Sequence, residues 1–292
     1  MNGHTSSIQG PRILILLLAV CVLAGGAVDK AVPTQAAVTL TYTFTESAAL
    51  SYKQTSFQLQ NVDVMGQTMT TEISSNMDIT LKPKGLKDGN YILGVTIDGI
   101  STNVQSSQGG LTPDMNSIIG KSFDLIFSPL GKEVDVSGAS VFFVDMGQSG
   151  RRDLSSNFQG LFPDLPDHPV RIGDNWPSED VIVQKSDAGE IRINFKNEHT
   201  LDGFETIDGR ECARIKTALR GTMFGALNQG GAALSMDAKL DGTETWYFAV
   251  KEGVFVKSET KATMGGLISV EGMDTTIGFS GEQRNSNALV KK

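Results

Sequence analysis

The dominant pattern along this chain is a two-residue alternation of apolar and polar positions. Val38 to Glu46 reads Val-Thr-Leu-Thr-Tyr-Thr-Phe-Thr-Glu, the period of a half-buried strand. The pattern returns at Ile73–Leu81, where Ile73, Met77, Ile79 and Leu81 share a face, and at Tyr91–Ile97. Between them Lys87-Asp88-Gly89-Asn90 marks a turn, because glycine accepts positive φ. Phe123–Phe127 and Lys132–Val136, separated by Ser-Pro-Leu-Gly, read as a further hairpin. Later, Ile191, Ile193 and Phe195 alternate, as do Ala213, Ile215, Thr217 and Leu219. Thr243–Val250 holds Trp246, Tyr247 and Phe248; Lys251-Glu252-Gly253 leads into Val254–Thr260; Met273, Thr275, Ile277 and Phe279 close the series. Asp208-Gly209 and Asp241-Gly242 carry the dipeptide signature of hairpin turns.

Helical spacing is confined to connectors. Arg151–Phe162 places Leu154, Phe158, Leu161 and Phe162 on one helical face. Thr112-Pro113-Asp114 offers a threonine cap with proline in the first turn. Pro163, Pro166 and Pro169 forbid regular structure and mark a crossover. The expectation is a mainly β fold: antiparallel curved sheets, as a half-barrel or a sandwich, with short connecting helices. Residues 38–150 would form an N-terminal β half, 151–169 a crossover with a short helix, 170–283 a C-terminal β half, and 284–292 a frayed polar tail. The halves have a similar layout. Gly120–Phe127 with Lys132–Val136, and Gly242–Phe248 with Val254–Lys257, each give strand, tight turn, strand.

The one long apolar run, Ile13–Ala24, follows Arg12 and precedes Gly25, Gly26 and Ala27. A positive charge, an apolar core and a small-residue exit form the pattern of a secretory signal. Residues 1–27 are the expected signal peptide, with cleavage after Ala36 as the alternative. An uncleaved membrane anchor is the second reading, but the run is shorter than the roughly 20 residues a spanning helix needs. Lipidation at Cys21 is the third, disfavoured by Val20 and by the position of Cys21 inside the apolar run.

Net charge is -8, and losing Arg12 (+1) with the leader makes the mature chain -9. A diffuse acidic balance argues against nucleic acid, whose phosphates demand a basic face. After cleavage only Cys212 remains, so no internal disulfide forms, and its strand context reads as a small hydrophobe.

Catalytic and metal motifs are absent. His168 sits in a turn-rich crossover and His199 at a strand end, and two isolated histidines make no metal site. No Gly-x-Ser-x-Gly elbow marks a nucleophile. Ser258-x-x-Lys261 has the spacing of penicillin-recognising enzymes, but on a strand the two side chains point to opposite faces. Asp174, Glu179 and Asp180 cluster near Trp176 without a pocket that would split their pKa values. No catalytic, metal or cofactor residue is assigned, and ligand-binding residues stay unknown.

Val170-Arg-Ile-Gly-Asp-Asn-Trp176, followed by Leu201–Ile215, resembles uncharacterised secreted bacterial β-rich proteins. Their layout in turn is similar to the lipoprotein-carrier fold of LolA, LolB, LppX and LprG. The match covers mainly Val170–Val256 and carries over no ligand residue. It implies a curved antiparallel sheet around an apolar cavity that holds lipid acyl chains. Methionines such as Met65, Met69, Met77, Met223, Met236, Met264 and Met273 suit an adaptable apolar lining as well as plain core filling. Three functions follow: non-catalytic binding of an apolar or lipid ligand in the cell envelope; assembly with other envelope proteins through sheet edges; and, last, an envelope hydrolase. All three place the mature protein in the periplasm or outside the cell, with no permanent membrane span.

Overall fold

The computed structural model describes residues 36–45, 48–64, 66–107, 109–147, 150–229, 231–272 and 276–290. The expected signal peptide lies outside them, as do Met65, Met273 and Thr275. The described residues form one compact unit.

Among the described residues, fourteen strands make one antiparallel sheet. In the first half they are β1 (Leu50–Val64), β2 (Gln67–Lys87), β3 (Asn90–Ser106), β4 (Gly109–Leu111), β5 (Ser122–Phe127) and β6 (Glu133–Asp135). In the second they are β7 (Phe143–Asp145), β8 (Arg151–Asp153), β9 (Asn175–Ser186), β10 (Gly189–Ile207), β11 (Arg210–Gln229), β12 (Ala232–Ala249), β13 (Val254–Val270) and β14 (Thr276–Leu289). The order across the sheet is β6-β5-β3-β2-β1-β14-β13-β12-β11-β10-β9-β8-β7, with β4 beside β3. Nearly every spatial neighbour is therefore a sequence neighbour, as short connections favour. The first and last long strands also meet: Tyr52 pairs with Leu289 and Val62 with Phe279. The sheet edges β6 and β7 are consecutive in the chain and joined through a 3-10 helix at Ser137–Val141. The result is a strongly curled half-barrel.

Local chemistry explains most of the register. Asp88 and Gly89 both take positive φ (51° and 80°), as do Asp208 and Gly209 (54° and 80°), the turn that matches strand twist in a tight hairpin. Curl requires glycine where strands crowd. A Cβ on Gly266 would lie 2.1 Å from the Asp237 carbonyl oxygen, and one on Gly242 2.6 Å from that of Lys261.

One end of the half-barrel is filled by an aromatic core. Tyr42 meets Phe127 and Phe248 edge-on, with ring centroids 5.0 and 5.2 Å apart, and its hydroxyl donates to the Pro163 carbonyl at 3.0 Å. Leu154, Phe158, Leu161, Phe162 and Leu165 pack into the same core.

Five expectations are corrected. Val38–Glu46 is not a sheet strand: apart from one bridge between Val38 and Val170, the described part runs through the core. Leu40 and Tyr42 are buried, and Tyr42 and Thr43 donate their N–H to Pro129 and Gly253. The alternation reported burial, not pairing. Asp241-Gly242 is no turn but the middle of β12; its glycine serves close approach. Arg151–Phe162 is strand β8 and a single 3-10 turn at Ser155–Phe158 rather than a helix. Its apolar face is buried as expected, but Glu133 takes the N–H groups of Gly160, Leu161 and Phe162 at 3.0, 2.9 and 3.2 Å. Thr112–Asp114 opens a turn in which Asp114 caps the Asn116 N–H at 2.9 Å. Finally, 284–289 does not fray: it lies in β14 between β1 and β13, because polar side chains such as Asn287 face a polar inner surface. One sheet thus runs through both halves, and 151–169 contributes to its core.

Candidate functional site: the inner face of the half-barrel

The two faces of the sheet differ sharply. Outward positions on the long strands carry Lys53, Glu72, Arg192, Lys196, Lys216, Arg220, Asp237, Lys239, Glu259, Lys261, Glu282 and Arg284, all exposed. This is the opposite of a membrane-spanning barrel, whose outward band is apolar. Among the described residues, no lysine or arginine stands on the inner face from β9 round to β3; its charged side chains are Asp180 and Glu244.

Directly paired residues of antiparallel strands point to the same side, so the registers define horizontal rungs on that inner face. One rung reads Trp176, His199, Thr217, Glu244, Thr260, Asn285, Ser56, Ser75 and Thr102, from β9 round to β3. It is polar from His199 to Thr102. Thr260 donates its hydroxyl to Glu244 Oε1 at 3.2 Å, and the Ser75 and Thr102 hydroxyls are 3.0 Å apart. Burial raises the Glu244 pKa, opposed by the hydroxyls of Ser258 and Thr260.

Beyond this rung, away from the aromatic core, the inner face of β10 to β13 turns apolar from Phe195 on, while Asp180 on β9, Gln283 on β14, Gln58 and Gln60 on β1 and Thr71 on β2 keep its flanks polar. Phe195, Gly221, Leu240 and Met264 form one rung. Ile182, Ile193, Met223, Ala238, Gly266, Phe279, Val62 and Met69 form the next but one from Leu219. Ile191, Gly225, Met236, Ile268 and Ile277 follow. Met223, Ala238, Leu240 and Met264 are buried, while Ile191, Ile193, Phe195, Met236 and Phe279 are only partly covered.

A second polar group joins the core loops to the end of the polar rung. Lys132 Nζ lies 2.7 Å from Asp180 Oδ1 and also pairs with Asp164. Burial of the ammonium opposes its charge, but the two carboxylates outweigh it and raise its pKa. Burial, with Asp180 nearby, pushes Asp164 up to about 6. Ser178 Oγ is 2.9 Å from His199 Nε2, Thr217 Oγ1 is 2.7 Å from His199 Nδ1, and the Trp246 indole donates to Thr217 at 2.9 Å. The indole can only donate, so in the network that satisfies every group the threonine hydrogen goes to Nδ1 and the ring proton sits on Nε2. His199 is buried, stacked on Trp176 at 5.4 Å, and desolvation pushes its pKa down to about 4. It is a neutral core link rather than an activated base. Glu133 accepts three backbone N–H groups, yet burial pushes its pKa up to about 8.

The acidic residues noted around Trp176 are not brought together. Asp174 caps the Arg171 N–H at 2.8 Å, Glu179 faces outward beside Lys196, and only Asp180 points inward. His168 is exposed beside Asp167. Ser258 is buried and Lys261 exposed, on opposite faces. Cys212 is buried and free, its pKa raised by burial. Sequence reasoning missed Glu244, Asp164, Lys132 and Glu133. Glu244 had one available signal, since it lies in phase with buried Trp246 and Phe248. Among the described residues no group of His, Cys, Asp or Glu is arranged to hold a metal.

No family model matches the chain, and no curated protein does. Among solved structures it is similar to an outer membrane channel of Pseudomonas putida F1, at 6% identity over 83% of this chain and 96% of that one, with a TM-score of 0.20. It is also similar to OmpT, an outer membrane protein of Vibrio cholerae, at 7% identity over 83% and 97%, with a TM-score of 0.16. Likenesses this weak carry no argument about function, and they lend nothing to the lipoprotein-carrier resemblance. Among the described residues no helix is long and apolar enough to cross a membrane.

Proposed function

We propose that this is an exported cell-envelope protein that holds an elongated apolar ligand on the inner face of its half-barrel and performs no chemistry on it. The observation that carries this reading is the pair of apolar rungs through Ile193 and Met236, left partly covered on a sheet whose outside is charged. A sheet face of this kind requires a cover. Flexible thioethers at Met223, Met236 and Met264 adapt to chains of varied shape. From Thr217 to Gly225 along β11 the wall runs roughly 26 Å at about 3.3 Å per residue, enough for a long acyl chain. Export is supported by the Ile13–Ala24 pattern. Assembly through sheet edges finds less support, since the edge strands β6 and β7 are short and such edges resist pairing.

The test is to express the full chain, purify it as the cell processes it, and combine native mass spectrometry and lipid extraction with titration by the apolar dye N-phenyl-1-naphthylamine. Co-purifying lipid or saturable dye binding, lost in Ile193→Glu and Met236→Glu, is the expected result. A folded, lipid-free protein that does not bind the dye would overturn the reading.

A further inference from the structure

Resting on that reading, we infer that the ligand's head is an oxyanion, a carboxylate or phosphate, received by Arg152 where the apolar wall ends farthest from the aromatic core. Arg152 stands on β8, paired with Ser186 of β9 and Val144 of β7. Ser186 is in phase with Ile182 and Gln184 along β9, and directly paired residues face the same side, so Arg152 faces inward with them. The rung of Ser186 continues through Gly189, Leu227, Leu234 and Val270, one step beyond that of Ile191, Met236 and Ile268. Leu227, Leu234 and Val270 are only partly covered.

What marks Arg152 is a charge that the protein leaves unanswered. Its neighbour Arg151 is exposed and pairs with Asp187 at 3.3 Å, whereas Arg152 enters no ion pair among the described residues. Burial disfavours its charge, opposed by Asp153 next in the chain. Asp153, however, spends Oδ1 on the N–H and hydroxyl of Ser155, at 2.9 and 2.6 Å. Of the guanidinium N–H groups, one is used among the described residues: Nη2 donates to Asn157 Oδ1 at 3.3 Å. Nε is sealed from solvent without an acceptor and is not the point of contact. The residue as a whole is only partly covered, and its Nη groups are left to meet a ligand. A half-sunk arginine ordinarily has an anion beside it, and its planar fork fits a carboxylate or phosphate through two bonds. The opposite end of the wall offers an oxyanion nothing: Glu244 has hydroxyls for partners, and Lys132 is held by Asp164 and Asp180. The head is therefore drawn to Arg152 and the tail laid toward Phe195, Leu240 and Met264. An ammonium head would meet like charge at Arg152.

The experiment compares dodecanoate and dodecyl phosphate with dodecylamine, equal in chain length, as competitors that displace N-phenyl-1-naphthylamine from the full chain. One or both oxyanions are expected to act at about tenfold lower concentration than the amine, the scale of one charge-assisted contact; the stronger of the two names the head. The ratio of oxyanion to amine is read within each variant. Arg152→Gln should bring that ratio within about threefold. Ser186→Asp sets a carboxylate directly opposite the guanidinium and should do the same with Arg152 in place, and it carries the test if Arg152→Gln does not fold. Equal potency or an amine preference in the parent protein, or an oxyanion preference that survives the variants, would overturn the inference while leaving the apolar-ligand reading standing. Failure of the dye to bind at all would overturn both.

Discussion

Lys132 Nζ lies 2.7 Å from Asp180 Oδ1, joining the residue before edge strand β6 to the inner face of β9. Between those strands the sheet has no continuous pairing, so the gap is bridged by side chains and packed loops instead of a ladder. The same ammonium neutralises Asp164, and the Asp164 carbonyl in turn accepts the Trp176 indole N–H at 3.0 Å.

Removing that ammonium should loosen the closure. In Lys132→Met, Asp164 stays largely buried (side chain 9% exposed) beside Asp180 with no counter-charge. The expected cost at pH 7.5 is about 1–2 kcal/mol, below the usual figure for a broken buried pair because the lysine head is half exposed. Asp164 already titrates near 6, and losing Lys132 raises it further. Protonation then relieves the strain, so the gap between parent and variant narrows toward pH 5. Urea midpoints at the two pH values measure it.

His199 predicts an acid-labile fold. Its pKa is about 4 in the native state against the ordinary 6.5, so the unfolded chain binds the extra proton between those values. Its contribution is complete above pH 6.5 and is lost as pH falls toward 4, by up to about 3 kcal/mol. His199→Gln should be less stable than the parent at pH 7, with the difference shrinking on acidification. A constant difference across that window would contradict a buried neutral imidazole.

Gly242→Ala and Gly266→Ala should each cost about 2–4 kcal/mol, because the added Cβ meets neighbouring backbone and the sheet must open to admit it. Gly278→Ala is the matched comparison on β14, where a Cβ meets nothing within 4 Å, and should be nearly neutral. Thermal melts of the three variants separate the two classes.

Cys212 should resist thiol reagents in the native protein and react fully once urea unfolds it. It is 0% exposed, it packs with Ala249, Val254 and Val256, and burial raises its pKa, which suppresses the thiolate. Fast labelling without denaturant would show that this side of β11 opens.

Deleting residues 282–292 should abolish cooperative folding. The deletion strips β14 of the residues that pair Leu59 to Tyr52 with Glu282 to Leu289 and Ala262 to Lys257 with Gln283 to Ala288. A folded truncated protein, seen as a sharp melt, would contradict the closing role of β14.

Much of this was legible along the chain. Alternation identified most long strands and the residues sharing a face, and two of the Asp-Gly pairs behaved as turns. The same dipeptide at Asp241-Gly242 failed as a guide, because glycine also serves where two strands crowd, and a local motif does not distinguish the uses. The Val38–Phe44 alternation failed for a related reason: burial on one side arises inside a core as readily as in a ladder. Glu244 was readable as an acid in phase with Trp246 and Phe248. That no cation pairs with it was not, since that depends on which residues the eight other strands of its rung turn inward.

By itself, then, the sequence determined the β class, the two faces of each long strand, and the tight turns at Asp88-Gly89 and Asp208-Gly209. These are local properties, set by side-chain period and backbone sterics within a few residues. Tertiary structure alone decided that β14 closes against β1, that Leu40 and Tyr42 fill the core, and that His199, Thr217, Glu244, Thr260 and Asn285 stand in one row. Period two states which side a residue faces but not which residue stands opposite. Register across distant strands is set by long-range packing, which no local pattern encodes.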